Sequence, residues 1–113
     1  METKAAVTAL AALAHDSRLA IFRLLVQAGP EGLFAGKIGE ALGIPPSSLS
    51  FHMKELSHAN LVSSRQESRY VIYSANFAAM NELIGFLTEN CCNGVVCMST
   101  NLPVCANIEE TPA

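Results

Sequence analysis

The sequence predicts a mainly α-helical domain with one small β-hairpin, an α+β fold. Apolar residues recur at helical spacing through most of the first ninety positions. The spacing changes to an extended pattern in two short segments on either side of Glu67 and Ser68, which predicts the hairpin. A chain of 113 residues is long enough for one compact domain, and because half of its residues are hydrophobic we expect a homodimer that buries apolar surface between its subunits.

The first two helices are predicted over residues 5–14 and 16–28. Asp16 stands where a capping residue would begin the second helix, and a glycine-proline pair follows its end. The apolar positions that predict these helices are Val7, Leu10 and Leu13 in the first and Leu19, Phe22, Leu25 and Val26 in the second.

A short helix over residues 35–42, a turn at "GIPP" and a further helix from Pro46 to about Asn60 follow. Proline is favoured in the first turn of a helix, and asparagine can end one in the left-handed conformation. The apolar side of the longer helix consists of Leu49, Met53 and Leu56. We therefore expect the opposite side to face away from the core, with Ser47, Ser50, Phe51, Lys54 and His58.

The segments "LVSSRQ" and "RYVIYSA" form the predicted hairpin, with Arg65 and Arg69 near its tip. Asn76 then caps a last helix. The apolar stripe of that helix is wider than packing on a small domain requires, so part of it should face a partner; it consists of Phe77, Met80, Leu83, Ile84, Phe86 and Leu87.

A short helix, a tight turn at Gly43, a helix with a small polar exposed side and a basic hairpin form a winged helix-turn-helix, which places a helix in the major groove of DNA. The net charge of −3 does not oppose this, because residues 1–75 hold all seven basic residues against six acidic ones. The candidate DNA-binding residues are Ser47, Ser48, Ser50, Phe51, His52, Lys54, Arg65 and Arg69.

Each of these residues also has a purely structural interpretation. Any one serine can be ordinary solvated surface, and arginines in isolation are usually solvated. His52 lies next to the core position Met53, so a packed, hydrogen-bonded histidine is at least as well supported as a base contact. Only the preceding helix-turn-helix favours DNA contact for Arg65 and Arg69.

The segments "LAHDSRLAIFRLL", "KIGEALGIPPSSLSFHMKELSHANLV" and "SRYVIYS" resemble the ArsR/SmtB family of winged-helix, metal-responsive repressors over roughly residues 10–87. The resemblance implies a transcriptional repressor, not an enzyme, that dimerises through its first and last helices and binds an inverted repeat in double-stranded DNA. The family often has glycine where Asn60 and Ser68 stand. Because the start of the chain lacks the features of a signal peptide or membrane span, we expect a cytoplasmic protein.

All four cysteines follow the last predicted helix, so the sequence divides into a DNA-binding and dimerisation domain, residues 1–90, and a sensor tail, residues 91–113. Cys91, Cys92, Cys97 and Cys105 resemble a subgroup of arsenite-responsive repressors, with adjacent cysteines at the end of the last helix and a third just downstream. Trivalent arsenic and antimony are soft and bind three thiolates. We expect As(III) or Sb(III) to be the inducer and the first three cysteines its ligands, with Cys105 an alternative or additional ligand.

Other uses of the thiols remain open. Four cysteines could hold a divalent soft metal such as Zn, Cd or Pb, although the usual pairs of C-x-x-C spacing are missing. A thiol-disulfide redox sensor would need a low thiol pKa beside basic groups, and no Lys or Arg follows Arg69. A thiol enzyme would need a C-x-x-C or a nucleophile beside an anion-binding loop, and neither is present in the sequence.

Overall fold

The computed structural model describes residues 1–90, and residues 91–113 lie outside the described part. The described chain contains five helices and three strands, which confirms the predicted α+β fold. In chain order the elements are α1 (Thr3–Leu13), α2 (Asp16–Ala28), β1 (Leu33–Phe34), α3 (Ala35–Leu42), α4 (Pro46–His58), β2 (Val62–Glu67), β3 (Tyr70–Ala75) and α5 (Phe77–Leu87).

Side chains cap two of the helices, one as expected and one not. Asn76 caps α5 by accepting a hydrogen bond from the Ala79 amide at 3.1 Å. The prediction that Asp16 caps α2 is wrong: the capping residue is His15, whose Nδ1 accepts from the Ser17 amide at 3.1 Å. Asp16 is instead the first residue of the helix, where a carboxylate still interacts favourably with the helix dipole.

The three strands form an antiparallel sheet in the order β1-β3-β2. In the hairpin, Val62 pairs with Ala75 and Glu67 with Tyr70. The sequence did not predict β1, because a strand of two residues is too short to show an alternating pattern. The chain enters β1 at Gly32, whose φ is +73° and where a Cβ would collide with the Tyr73 carbonyl, so that position requires glycine.

The core lies between α2, α3, α4 and the base of the hairpin. Its largest fully buried side chains are Ile21, Leu25, Ile38, Met53, Leu56 and Leu61. The predicted buried side of α4 is confirmed, but that of α1 is wrong: the alanines Ala6, Ala9 and Ala12 are buried, and Val7 and Leu10 are exposed. Alanine allows α1 to pack closely on its neighbours, so its larger apolar residues are left on the outer side.

Short polar residues replace glycine at two left-handed positions. Asn60 has φ of 65° and Ser68, in the hairpin turn, has φ of 58°. The Asn76 side-chain amide donates to the Asn60 carbonyl at 3.1 Å, which links the end of α4 to the start of α5. The predicted end of α4 at Asn60 is thus confirmed within two residues.

Among the helices of residues 1–90, none combines the length and the apolar content that crossing a membrane requires.

Candidate nucleic-acid interface

Helix α4 presents two chemically different sides. Leu49, Met53 and Leu56 are buried, whereas the opposite side is exposed. We call that exposed side the α4 surface; it consists of Ser47, Ser48, Ser50, Phe51 and Lys54. Five of the eight predicted DNA-binding residues are therefore brought together on one surface, and their contact with DNA stays a prediction.

The turn before α4 fixes the angle between α3 and α4. Gly43 ends α3 in the left-handed conformation with φ of 66°, and the Ile44 amide donates to the Gly39 carbonyl at 3.0 Å. Pro45 is extended and Pro46 begins α4, so the first amides of α4 are not used within the helix. Three serines and an open helix N-terminus then lie together, an arrangement suited to phosphate oxygens.

His52 does not belong to the α4 surface, because its side chain is only 8% exposed. Its Nδ1 accepts a hydrogen bond from Nε of Arg18 at 3.3 Å, and its ring centroid lies 4.7 Å from that of His15. Burial, followed by the neighbouring His15 and Arg18, lowers the pKa of His52 below its usual 6.5. The structure thus matches the packed, hydrogen-bonded interpretation of His52, and a base contact stays a prediction.

The two arginines of the hairpin have different surroundings. Arg65 pairs with Glu67 through Nε at 2.9 Å, and its Nη2 donates to the Glu31 carbonyl at 2.9 Å. These bonds tie the middle of β2 to the loop between α2 and β1. Arg69 follows Ser68 in the hairpin turn, is exposed, and forms no ion pair within residues 1–90. Arg69 therefore offers its whole guanidinium to a phosphate at the tip, whereas Arg65 offers only the N–H groups that its two bonds leave free.

Two features of this region were missed in the sequence. Arg18 and His15 approach α4 from α2 and its N-terminus, and no periodicity in the sequence indicated these contacts. The second feature is an exposed aromatic pair, Phe34 and Tyr70, whose ring centroids are 5.1 Å apart. The strand β1 that brings this pair together was itself not predicted.

Helices α1 and α5 carry a second group of exposed apolar side chains. These two helices contact each other, and the largest exposed residues are Val7 (58% exposed), Leu10, Ile84 and Leu87 (59% exposed). We call these four residues the α1–α5 surface. Part of the apolar stripe of the last helix is thus exposed, and the prediction that it faces a partner stays a prediction.

The predicted thiol site falls in the part of the chain that follows the described residues. Cys91, Cys92, Cys97 and Cys105 all lie outside the described residues, as does the proposed sensor tail as a whole. Within residues 1–90, no three His, Cys, Asp or Glu side chains are grouped closely enough to hold a metal ion.

Two comparisons of the sequence with known proteins both find similarity to helix-turn-helix or regulatory proteins. A family model described as a helix-turn-helix domain matches residues 13–65. The nodulation protein NolR of Rhizobium meliloti is 32% identical over 80 residues, which cover 71% of this chain and 63% of NolR, so the chain spans less than two thirds of that relative.

Solved structures extend the similarity over most of the described residues. HlyU from Vibrio cholerae N16961 is 33% identical, with a TM-score of 0.61 over 77% of this chain and 97% of HlyU. An ArsR-like transcriptional regulator from Rhodococcus sp. RHA1 has a TM-score of 0.66 over 74% of this chain and 76% of that chain; at 24% identity it supports the fold alone. The winged helix-turn-helix architecture predicted from the sequence is confirmed.

Proposed function

We propose that the chain, which belongs to the same family of helix-turn-helix proteins as HlyU, is a transcriptional repressor of the ArsR/SmtB type that binds double-stranded DNA as a homodimer. The observation that carries this proposal is the α4 surface. Its side chains are small and polar next to the helix N-terminus, while the core side of α4 is firmly packed. A helix presented in this way fits the major groove without rearrangement of the domain.

Each element has a distinct part in this proposal. Helix α4 enters the major groove, where Ser47, Ser48 and Ser50 approach the backbone and base edges. Lys54 lies on the same exposed side and adds salt-dependent attraction to phosphates. Arg69 at the hairpin tip reaches the neighbouring backbone, as a wing does in this fold.

The second subunit binds through the α1–α5 surface. Four large apolar side chains exposed on two adjoining helices are favourably removed from water when the same surface of a second copy covers them. A two-fold dimer presents one α4 per subunit, and its half-sites lie about one helical turn apart on DNA. The proposed operator is accordingly an inverted repeat.

We further propose that As(III) or Sb(III) bound by Cys91, Cys92 and Cys97 releases the DNA. The support is the donor set, three thiols within seven positions, which matches the three sulfur ligands that these ions prefer. Helix α5 ends at Leu87, four residues before Cys91, and belongs to the α1–α5 surface. A ligand that constrains the chain just after α5 can therefore change the relation between subunits, and a coupling of about 1–3 kcal/mol lowers DNA affinity about 5- to 150-fold.

Cys105 favours a second candidate, because a fourth thiol completes the coordination that Zn or Cd prefers. Alternatively, two of the thiols form a disulfide under oxidation. Both alternatives keep the DNA-binding proposal and change only the inducer.

The test begins with a duplex selected by the wild-type protein from a random DNA library. Fluorescence anisotropy then measures release of this duplex by arsenite, by zinc and by a mild oxidant, in wild type and in four single Cys→Ser variants. We expect Cys91→Ser, Cys92→Ser and Cys97→Ser to bind DNA without responding to arsenite, and Cys105→Ser to respond like wild type. A normal response in Cys97→Ser with none in Cys105→Ser would reassign the trio; a response in all four variants would exclude the thiols as the sensor.

A further inference from the structure

Arg18 belongs to α2, but its side chain lies against α4. Its Nε donates to Nδ1 of His52 at 3.3 Å. Its guanidinium carbon lies 5.7 Å from the centroid of the Phe51 ring, and Phe51 is 54% exposed. A cation at this distance over an aromatic face is attracted to it. The two contacts hold the guanidinium at the edge of the α4 surface.

No acidic group neutralises Arg18 within the described part of the chain. The ion pair formed there is Arg65 with Glu67, and the groups that shift the pKa of His52 are both basic, His15 and Arg18. A guanidinium has five N–H donors, of which the His52 contact uses one. A half-buried arginine among histidines, with its terminal nitrogens lacking an acidic partner in residues 1–90, is a site suited to an anion.

The position of Arg18 indicates which anion this is. The major groove is about 12 Å wide and an α-helix with its side chains about 10–12 Å across, so groups beside an inserted helix meet the phosphates that border the groove. Arg18 occupies that position relative to α4, because it contacts Phe51 on the exposed side and His52 on the buried side. We propose that Arg18 binds a DNA phosphate and that His52 and Phe51 hold the Arg18 side chain in place beside α4. This inference rests on the DNA-binding function proposed above.

His52 is the positioning residue of this arrangement. Because its Nδ1 accepts the hydrogen bond from Arg18, the neutral ring carries its proton on Nε2. An asparagine offers a side-chain oxygen at a similar distance from the backbone, whereas a leucine fills a similar space without an acceptor. His52→Asn should therefore keep Arg18 in place, and His52→Leu should release it.

The test compares Arg18→Met with Arg23→Met, which removes an exposed charge from the same helix. The probe is the duplex selected by the wild-type protein, and its affinity is measured by anisotropy over a series of salt concentrations. Removing one phosphate-binding guanidinium from each subunit should weaken binding about tenfold or more and make the slope of log K against log salt shallower by about 2 per dimer. Arg23→Met should keep the wild-type slope, and Arg18→Lys, which keeps the charge, should regain most of it.

Three results would overturn the inference. A wild-type protein that binds no duplex would remove the proposed function together with it. Wild-type binding with an unchanged salt slope in Arg18→Met would overturn the phosphate contact alone, even if affinity falls, because a purely structural arginine lowers affinity without changing the number of ions released. An equal reduction of the slope in Arg23→Met would show a general charge effect. Circular dichroism of each variant establishes that it is folded. His52→Leu leaves Arg18 and its charge in the protein but removes the hydrogen-bond acceptor, so it should reduce the salt slope, whereas His52→Asn should not.

Discussion

Helix α4 and the β2–β3 hairpin are both proposed to contact DNA, but they are held in the molecule differently. Along α4, Leu49, His52, Met53 and Leu56 are buried, so one side of the helix is part of the core. In β2 only Val62 is buried, and the rest of the strand is exposed. The hairpin is joined to the body by its base, by the pairing of β3 with the short strand β1, and by the bond from Arg65 to the Glu31 carbonyl.

Because of this difference, substitutions in the two regions should affect the stability of the fold and the affinity for DNA to different extents. A change beneath α4 alters the core and the proposed DNA-binding surface together, because the same helix supplies both. A change in the outer half of the hairpin alters a surface with little buried area, so the fold should tolerate it.

The largest effect is expected from the core side of α4. Leu56→Ala removes a side chain that is 0% exposed, and such truncations lower the free energy of unfolding by about 2–5 kcal/mol. Urea denaturation followed by circular dichroism measures the loss. Ser57→Ala, at the exposed neighbouring position, is the control and should change stability by no more than about 0.5 kcal/mol. Equal stability of the two variants would mean that α4 is not part of the core.

The hairpin should show the opposite behaviour. Arg65→Ala and Arg69→Ala are each expected to weaken binding of the selected duplex and to flatten its salt dependence, with a slope change of about 1 for each phosphate that is no longer neutralised. The free energy of unfolding should fall by no more than about 1 kcal/mol, because the Arg65–Glu67 pair is solvent-exposed. Response to arsenite should persist.

Glu67→Gln separates the two roles of Arg65, since it removes the ion pair but leaves the bond to Glu31 available. Salt titrations that are indistinguishable from wild type in both arginine variants would remove the hairpin from the DNA interface and leave α4 alone.

The smallest effect concerns pH and lies at the contact of α4 with α2. The folded protein lowers the pKa of His52, whereas the unfolded chain takes up that proton near pH 6.5, so between these two values the unfolded state binds more protons. The contribution of His52 to stability is therefore complete above pH 6.5 and declines as the pH falls toward the lowered pKa. Urea midpoints measured across this range should show the decline in wild type.

Substitution of two histidines on α4 provides the matched comparison. His52→Asn removes the titrating group and should reduce the pH-dependent loss of stability. His58→Asn changes an exposed histidine of the same helix and should leave that loss as in wild type. A similar pH dependence in all three proteins would assign it to other groups.

The contrast between the two regions also explains what the sequence could predict. The buried side of α4 and the hairpin follow from short-range patterns, namely a helical repeat at Leu49, Met53 and Leu56 and two extended segments around a polar turn. These patterns depend on residues close in the chain, and the structure confirms them. The exposed position of the α4 surface follows directly from the same repeat.

Contacts between distant segments could not be predicted in this way. Arg18 and His52 are 34 positions apart, as are Arg65 and Glu31, and no local sequence pattern indicates that these residues are in contact. In α1 the larger residues suggested a buried side, but close packing favours alanine inward and leaves Val7 and Leu10 exposed. His15, not Asp16, caps α2. The ring of His15 also lies against the ring of His52, a contact between distant segments that a local pattern does not indicate.

Footprinting of the selected duplex tests whether two copies of α4 read DNA from a symmetric dimer. The fold and the α1–α5 surface predict protection of an inverted repeat whose half-sites are about 10 base pairs apart, with both half-sites filling at the same protein concentration. Leu87→Glu, which places a charge on the α1–α5 surface, should shift that protection to a higher protein concentration. Protection of one asymmetric half-site by the wild-type protein, unchanged in Leu87→Glu, would contradict the account.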